Sequence, residues 1–479
     1  MKNKVFIALF IGFLIAGHSF SQIAQTTNIQ TSVPDYEIKV KFKNLKDTVC
    51  FLGFNFGNNK YIRDTAKVNS KGIAIFKGTK PLEGGVYLII TPSKNFFEFI
   101  MTEKNISFET DTIDFVENMK VINSDENKVF YGYLKFMKNK HYERVKLVEE
   151  LKLHQNNKDS SSMINAKIAL VDSAVKNYRI NIKKTYPVSF FTKILIAMDE
   201  PQAREKQVGE NDTIYGKFLY NWYQNHFFDN IDFSDPRMLR TPIYEGKVNK
   251  FMEELTLKHP DSIKYAAERL IDKSMANDEM FKFTLIKLFN KYAQSKYMGQ
   301  DAIFVYLAEK YYLSGLAHWT DTATLNKIYT EVIKKKSNLI GIPATNLIMK
   351  DTNDHYVKLF DIHKPYTILA FWDPECSHCR TIMPALVEWY KHHSKDSFAV
   401  YSVGVTSDRK KWISFMKEHH FNWIDVWDPA NATNFRVLYD VFTTPVLYII
   451  DSKKIIQAKK IGVEQIDELI RVIDRENKK

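Results

Sequence analysis

The run Thr367-Ile368-Leu369-Ala370-Phe371-Trp372 leads, through Asp373-Pro374-Glu375, into Cys376-Ser377-His378-Cys379. A stretch with helical spacing follows from Arg380 to Lys391. No other feature constrains the fold as tightly as this strand–turn–helix unit. A short apolar run bounded by turn residues reads as a buried strand. The start of a helix offers unpaired N–H groups and a partial positive charge. Both favour a thiolate over a thiol, and the thiolate is the form that attacks disulfides. Two intervening residues bring the sulfurs within bonding range. The pair can therefore be a dithiol or a disulfide, and can exchange with another protein's pair. Two of the chain's three cysteines sit here.

The remainder of the chain is long enough for other units. At about 100–200 residues per domain, 479 residues suggest about three domains. Residues 1–25 read as a cleaved signal peptide. Lys2 and Lys4 give a charged start, Val5 to Gly17 is uncharged and mostly apolar, and Ser19-Phe20-Ser21 supplies small residues for cleavage. The apolar run falls short of the ~20 residues a spanning helix needs. Export to the periplasm or cell envelope is the expectation. Residues 34–115 alternate with period two: Tyr36, Ile38, Val40 and Phe42 on one face, Glu37, Lys39 and Lys41 on the other. Further short runs broken by Gly, Asn, Pro and Ser predict an antiparallel β domain of six or seven strands. Residues 124–336 carry helical spacing (Phe130, Leu134, Met137, Val145, Val148) and predict an all-α domain without a fixed repeat. Residues 337–479 alternate strands and helices and predict an α/β domain.

Composition removes several function classes. The formal net charge is +12, but the lysines are scattered among acidic residues, with no basic stripe to bind nucleic acid. A zinc site remains the alternative use of a C-x-x-C, yet it needs four ligands. No second C-x-x-C exists, and His378, His392, His393, His419 and His420 lack ligand spacing. Neither a metal nor an organic cofactor is expected, only a redox-active Cys376–Cys379 pair. Cys50, in the strand-like run Val49-Cys50-Phe51-Leu52, reads as a buried small apolar residue.

Beyond the cysteine pair, Pro384 lies in the first helix, Thr443-Thr444-Pro445 precedes the strand Val446 to Ile450, and Gly462 precedes a closing helix near 463–475. This order resembles the thioredoxin fold, with Pro445 matching its cis-proline. Gly341-Ile342-Pro343-Ala344, followed by a hairpin around Asp351-Thr352-Asn353-Asp354, is similar to the N-terminal extension of the TlpA/ResA-like thioredoxin proteins of bacterial envelopes. Residues 408–426 match that family's extra βα insert. The upstream regions look like uncharacterised domains attached to such thioredoxins in Bacteroidetes-type bacteria. The resemblance implies a thiol–disulfide oxidoreductase in which Cys376 attacks, Cys379 resolves, and the Thr444 backbone beside Pro445 pairs with the substrate chain. Its partners would be protein disulfides or dithiols, with a membrane thiol electron donor if it works as a reductase.

The chain departs from the family pattern in its acids. Thioredoxin's buried acid, two residues before the Trp, is Ala370 here, and the Glu that ResA-like members often carry after the second cysteine is Ile382. Glu375 and Asp373 flank the site as substitutes or as solvated loop acids. His378, Trp372 and Glu375 are the candidate tuning residues. An imidazole at 378 can stabilise the Cys376 thiolate and push the pair toward an oxidising potential. Two other functions stay open. A peroxiredoxin-type peroxidase needs a Thr three residues before its cysteine, where this chain has Asp373. An envelope binding or assembly protein would use residues 34–336 for capture and the redox domain as an accessory.

Overall fold

The structure is a computed structural model and describes residues 34–477; the expected signal peptide lies outside the described residues. The alternation of the first region becomes strands β1 (Tyr36–Phe42), β2 (Thr48–Phe56), β3 (Asn59–Val68), β4 (Ile73–Gly78), β5 (Gly85–Ile90), β6 (Phe96–Met101), β7 (Asn105–Thr110) and β8 (Lys120–Val121). They form two four-stranded sheets, ordered β4-β1-β7-β8 and β3-β2-β5-β6. Ile38, Val40, Cys50, Leu52, Phe76, Phe99 and Phe108 share one core. Two details depart from the expected antiparallel domain of six or seven strands. The pair β1–β7 is parallel, because β7 enters the first sheet after β5 and β6 have been laid in the second. The β region also runs on to Val121, since a two-residue strand carries no period to read.

Helices α1 (Asp125–Leu153), α2 (Lys158–Thr185), α3 (Phe190–Met198), α4 (Asp212–His226), α5 (Ile243–Lys250), α6 (Pro260–Ser274), α7 (Asp278–Ala293), α8 (Asp301–Leu307) and α9 (Thr322–Lys336) follow. Side chains cap most of them: Ser124, Asn157, Ser189, Asn211, Asn277 and Asp321 each accept from a first-turn N–H. Buried Asn127 in α1 accepts from Ile100 N–H at 2.8 Å and donates to Ile100 O at 2.7 Å, which ties the helix to β6. Arg240 is buried and pairs with the more exposed Glu83 of the β region and Glu279 of α7, so the two regions meet through ion pairs on one buried guanidinium.

The last region holds β9 (Ile348–Lys350), β10 (Tyr356–Lys358), β11 (Tyr366–Trp372), α10 (Ser377–Lys391), β12 (Phe398–Gly404), α11 (Arg409–Glu418), β13 (Ile424–Trp427), α12 (Phe435–Leu438), β14 (Val446–Asp451), β15 (Ile456–Lys459) and α13 (Ile466–Asn477). Seven strands form one sheet, ordered β10-β9-β13-β12-β11-β14-β15. Strands β11, β12 and β13 run parallel, and β14 is antiparallel to β11. Both faces are covered, which is why β11 reads as an unbroken apolar run. This domain is docked on the helices. The ammonium of Lys459, itself buried, pairs with Asp301 of α8 and donates to Asn338 O at 2.9 Å and Asn338 Oδ1 at 2.7 Å. No helix among the described residues is long and apolar enough to cross a membrane.

Candidate active site

Strand β11 ends at Trp372, and the turn Asp373-Pro374-Glu375 delivers Cys376 to the N-cap of α10. The turn is held by its own carboxylate: Asp373 Oδ1 accepts from Glu375 N–H at 2.8 Å, and Asp373 O accepts from Cys376 N–H at 3.1 Å. Cys376 is half-buried, while Cys379, one helical turn on, is fully buried in the core with Ile368, Ala370, Trp372 and Met383. The Thr444–Pro445 peptide bond is cis, and the Cys376 thiol donates to Thr444 O at 3.2 Å. The cysteine pair and the Thr444–Pro445 loop, 68 positions apart in the chain, thus face one another.

The two thiols are pushed in opposite directions. For Cys376, desolvation is the largest single influence and raises its pKa. The N–H of Cys379, the side chains of Thr444 and Cys379, and the N–H of His378 together outweigh it, so the net shift is downward from 9.0. Those N–H groups are aimed at the sulfur without closing a hydrogen bond on the neutral thiol, which itself donates to Thr444. They become bonds when a thiolate forms. For Cys379, burial wins and pushes the pKa up to about 12, against a hydrogen bond from Asp373 N–H to its Sγ at 3.4 Å. One sulfur is accessible and ready to ionise; its neighbour is buried and held as a thiol.

The candidate tuning residues separate. Trp372 is fully buried, and its indole N–H donates to Ser402 Oγ at 3.2 Å. His378 is exposed, and its ring makes no hydrogen bond or ion pair among the described residues; what it offers Cys376 is its backbone N–H rather than the imidazole. Glu375 is exposed and pairs with Lys411 of α11 at 2.5 Å. Neither Glu375 nor Asp373 brings a carboxylate to a sulfur.

Two features beside the site escaped the sequence reading. Ser402 of β12 and Asp425 of β13 are hydrogen-bonded to each other on the Cys379 side of the sheet. Their signal was a polar residue within each of two otherwise apolar strands. Phe442, two residues before Thr444, is 54% exposed, and Lys334 of α9 stands 4.8 Å from its ring centre. The helical region therefore reaches the rim of the site. Among the described residues, no three His, Cys, Asp or Glu side chains cluster as a metal site.

Three stretches of the chain match known families. Residues 340–459 match the AhpC/TSA family. Residues 36–130 match a domain of unknown function (DUF4369), and residues 217–340 match another (DUF5106). The chain is 29% identical over 127 residues to the thiol-disulfide oxidoreductase ResA of Bacillus subtilis, covering 26% of this chain and 69% of the relative. It is 36% identical to a crystallised domain of a possible thiol-disulfide isomerase from Cytophaga hutchinsonii, covering 29% of this chain and 96% of that one with a TM-score of 0.28. A thioredoxin-like protein from Bacteroides caccae aligns with 57% of this chain and 98% of its own at 18% identity, with a TM-score of 0.43.

Proposed function

From the premise that this chain belongs, through its C-terminal domain, to the TlpA/ResA-like thioredoxin family, we propose that it is an exported thiol–disulfide oxidoreductase acting on protein disulfides. The observation that carries the reading is the opposed pair of sulfurs: Cys376 accessible with a lowered pKa, Cys379 buried with a raised one, both beside Thr444 and Pro445.

The chemistry follows from that asymmetry. The Cys376 thiolate attacks one sulfur of a substrate disulfide, forms a mixed disulfide and releases the other substrate sulfur as a thiolate. Thr444 O, now freed from the Cys376 thiol, accepts a backbone N–H of the substrate. Cys379 loses its proton, stabilised by Asp373 N–H, and attacks Cys376 Sγ. The intramolecular disulfide closes and the second substrate thiolate leaves, so the substrate gains two electrons and the pair loses two. The reverse order oxidises a dithiol. We favour the reductase direction, in which an envelope thiol donor restores the dithiol. Export rests on the charged, apolar and small-residue pattern of residues 1–25.

Residues 34–336 serve partner choice in this reading. Lys334 and Phe442 support that role, because they bring the helical region to the rim where a substrate chain would lie. The peroxidase alternative is weaker, since the position three residues before Cys376 is Asp373 and no hydroxyl cradles the sulfur from there. The test is reduction of insulin and oxidation of a model dithiol peptide by the full chain, with peroxide consumption measured alongside. Catalysed exchange with no peroxide consumption is expected. Loss of both exchange activities with Cys376 and Cys379 intact sinks the reading, and peroxide turnover in their place supports the alternative.

A further inference from the structure

We propose that Asp425 is a positioning residue for the step in which Cys379 resolves the mixed disulfide, acting through Ser402 on Trp372. The inference rests on the exchange reading above and adds to it a residue two strands away from the cysteines.

The sheet places the three residues in register. Ala370 of β11 stands opposite Ser402 of β12, and Ser402 opposite Asp425 of β13. Trp372 shares the Ala370 face, since successive strand residues alternate. The same face carries Cys379, Val400, Trp412 and Phe415 in one core. Ser402 Oγ is the centre of the network. It is hydrogen-bonded to Asp425 Oδ1, and it lies 3.2 Å from Trp372 Nε1 and 3.3 Å from Trp423 Nε1. Trp423 Nε1 also donates to Asp425 Oδ1 at 3.0 Å.

Counting donors and acceptors decides which protonation state suits this arrangement. An indole N–H only donates, and a hydroxyl has one hydrogen and two lone pairs. With Asp425 ionised, Ser402 donates to the carboxylate and both lone pairs receive an indole N–H, so the hydroxyl and both indoles are satisfied. With Asp425 neutral, the carboxyl is a weaker acceptor. A proton on Oδ1 would reverse the bond, leave the Ser402 hydrogen without an acceptor and displace one indole. Burial of the carboxyl opposes ionisation more strongly than the bonds from Ser402 and Trp423 favour it, and its pKa is raised to about 7. Asp351 of the β9–β10 turn, with Lys417 and His420 at the end of α11, line the cleft into which Asp425 opens.

The indole matters because of what is attached to it. Trp372 O accepts from Val405 N–H at 2.8 Å, and the next N–H along the chain, that of Asp373, is the donor to Cys379 Sγ. Holding the Trp372 ring and carbonyl holds that N–H in line with the buried sulfur. Cys379 must become a thiolate in a core that raises its pKa, so it depends on this donor more than Cys376 does, which draws on the start of α10. Loss of the Asp425 charge should therefore slow resolution and spare the first attack.

A two-phase reaction of the full-length reduced protein with 5,5′-dithiobis(2-nitrobenzoate) separates the steps. In the first phase the Cys376 thiolate attacks, one thionitrobenzoate leaves, and a mixed disulfide remains. In the second, Cys379 gives its proton to solvent and attacks Cys376 Sγ. The intramolecular disulfide forms, the mixed disulfide breaks, and the second thionitrobenzoate departs with the electron pair. Overall the dithiol is oxidised and the aryl disulfide is reduced to two thiolates. Asp425→Asn is expected to slow the second phase about fivefold at pH 8, the scale of one hydrogen bond, and to leave the first within about twofold. The wild-type second phase should show an inflection near pH 7 that Asp425→Asn lacks and Asp425→Glu keeps. If Asp425→Asn does not fold, Ser402→Ala removes the intermediary and should give the same selective slowing. A second phase of unchanged rate and pH profile overturns the inference while leaving the exchange reading intact. Equal slowing of both phases also overturns it, as damage to the whole site. Release of a single thionitrobenzoate by the wild type overturns the exchange reading and the inference together.

Discussion

Cys50 and the Cys376–Cys379 pair sit in regions built the same way, each against a sheet and within an apolar core, yet their sulfurs have opposite prospects. Cys50 lies inside β2, fully buried, with its pKa pushed up to about 12 by burial alone. Strand β2 is paired on both sides, with β3 and with β5, so its backbone donors are committed to the ladders. Cys376 stands where a strand has ended and a helix has begun. The first N–H groups of α10 have no partner within the helix, and they converge on its sulfur. Cys379, three residues on, already belongs to the core and behaves like Cys50. Reactivity here follows the supply of free N–H groups more closely than residue type or mean burial.

The sharpest way to break that contrast is to remove each sulfur in turn. Cys376→Ser should abolish disulfide exchange, by about a thousandfold or more, while Cys50→Ala leaves turnover of a small disulfide within about twofold. An exchange defect in Cys50→Ala of the Cys376→Ser scale would show that the β region takes part in the chemistry. Cys379→Ser should trap mixed disulfides through Cys376 on a non-reducing gel, and Cys376→Ser should trap almost none.

Alkylation of the native reduced chain sharpens the comparison by pH. A thiol with a lowered pKa is a thiolate over more of the range, so the Cys376 rate should climb with pH through a midpoint below pH 9. Cys50, raised to about 12, should still be rising at pH 10. At pH 7.5 the gap in thiolate fraction is at least about a thousandfold. Mass spectrometry after limited iodoacetamide treatment reads it directly, and equal labelling of Cys50 and Cys376 would contradict the opposed shifts.

Smaller effects come from position 378, where the N–H and the imidazole can be told apart. His378→Pro removes the backbone donor at a helix position that tolerates proline and should lower the thiolate fraction of Cys376 about tenfold. The pair becomes more reducing as a result, because the thiolate-bearing dithiol form loses stability. His378→Ala keeps the N–H and should change the fraction by less than about twofold. Equal shifts for Pro and Ala would return the role to the ring. Least of all should follow from Lys334→Ala, which removes the contact over Phe442 and a surface ion pair with Glu331. About 0.5–1 kcal/mol of stability is the expected cost, read from the denaturation midpoint, with turnover of a small disulfide unchanged. A turnover change above about twofold would mean that the helical region tunes the chemistry as well as the rim.

Local order was legible in the sequence: the period of two across Tyr36 to Phe42, the helical spacing around Phe130 to Val148, and the strand–turn–helix unit about Cys376. Each depends on hydrogen bonds and side-chain directions within a few residues, so residue type and spacing determine it. The C-terminal α/β class was readable for the same reason, through its alternation of strands and helices. What the tertiary structure alone decided are contacts between segments with no common period. The parallel β1–β7 pair depends on where the chain re-enters a sheet. The Asp425–Ser402–Trp372 network depends on the order and register of three strands. Lys459 is buried because α8 supplies Asp301 from the neighbouring region. Lys334 reaches Phe442 because α9 ends beside the Thr444–Pro445 loop. In each case the partner is chosen by packing, which a one-dimensional pattern does not record. A lone Asp in an apolar strand reads as a blemish until the sheet sets a hydroxyl and two indoles around it.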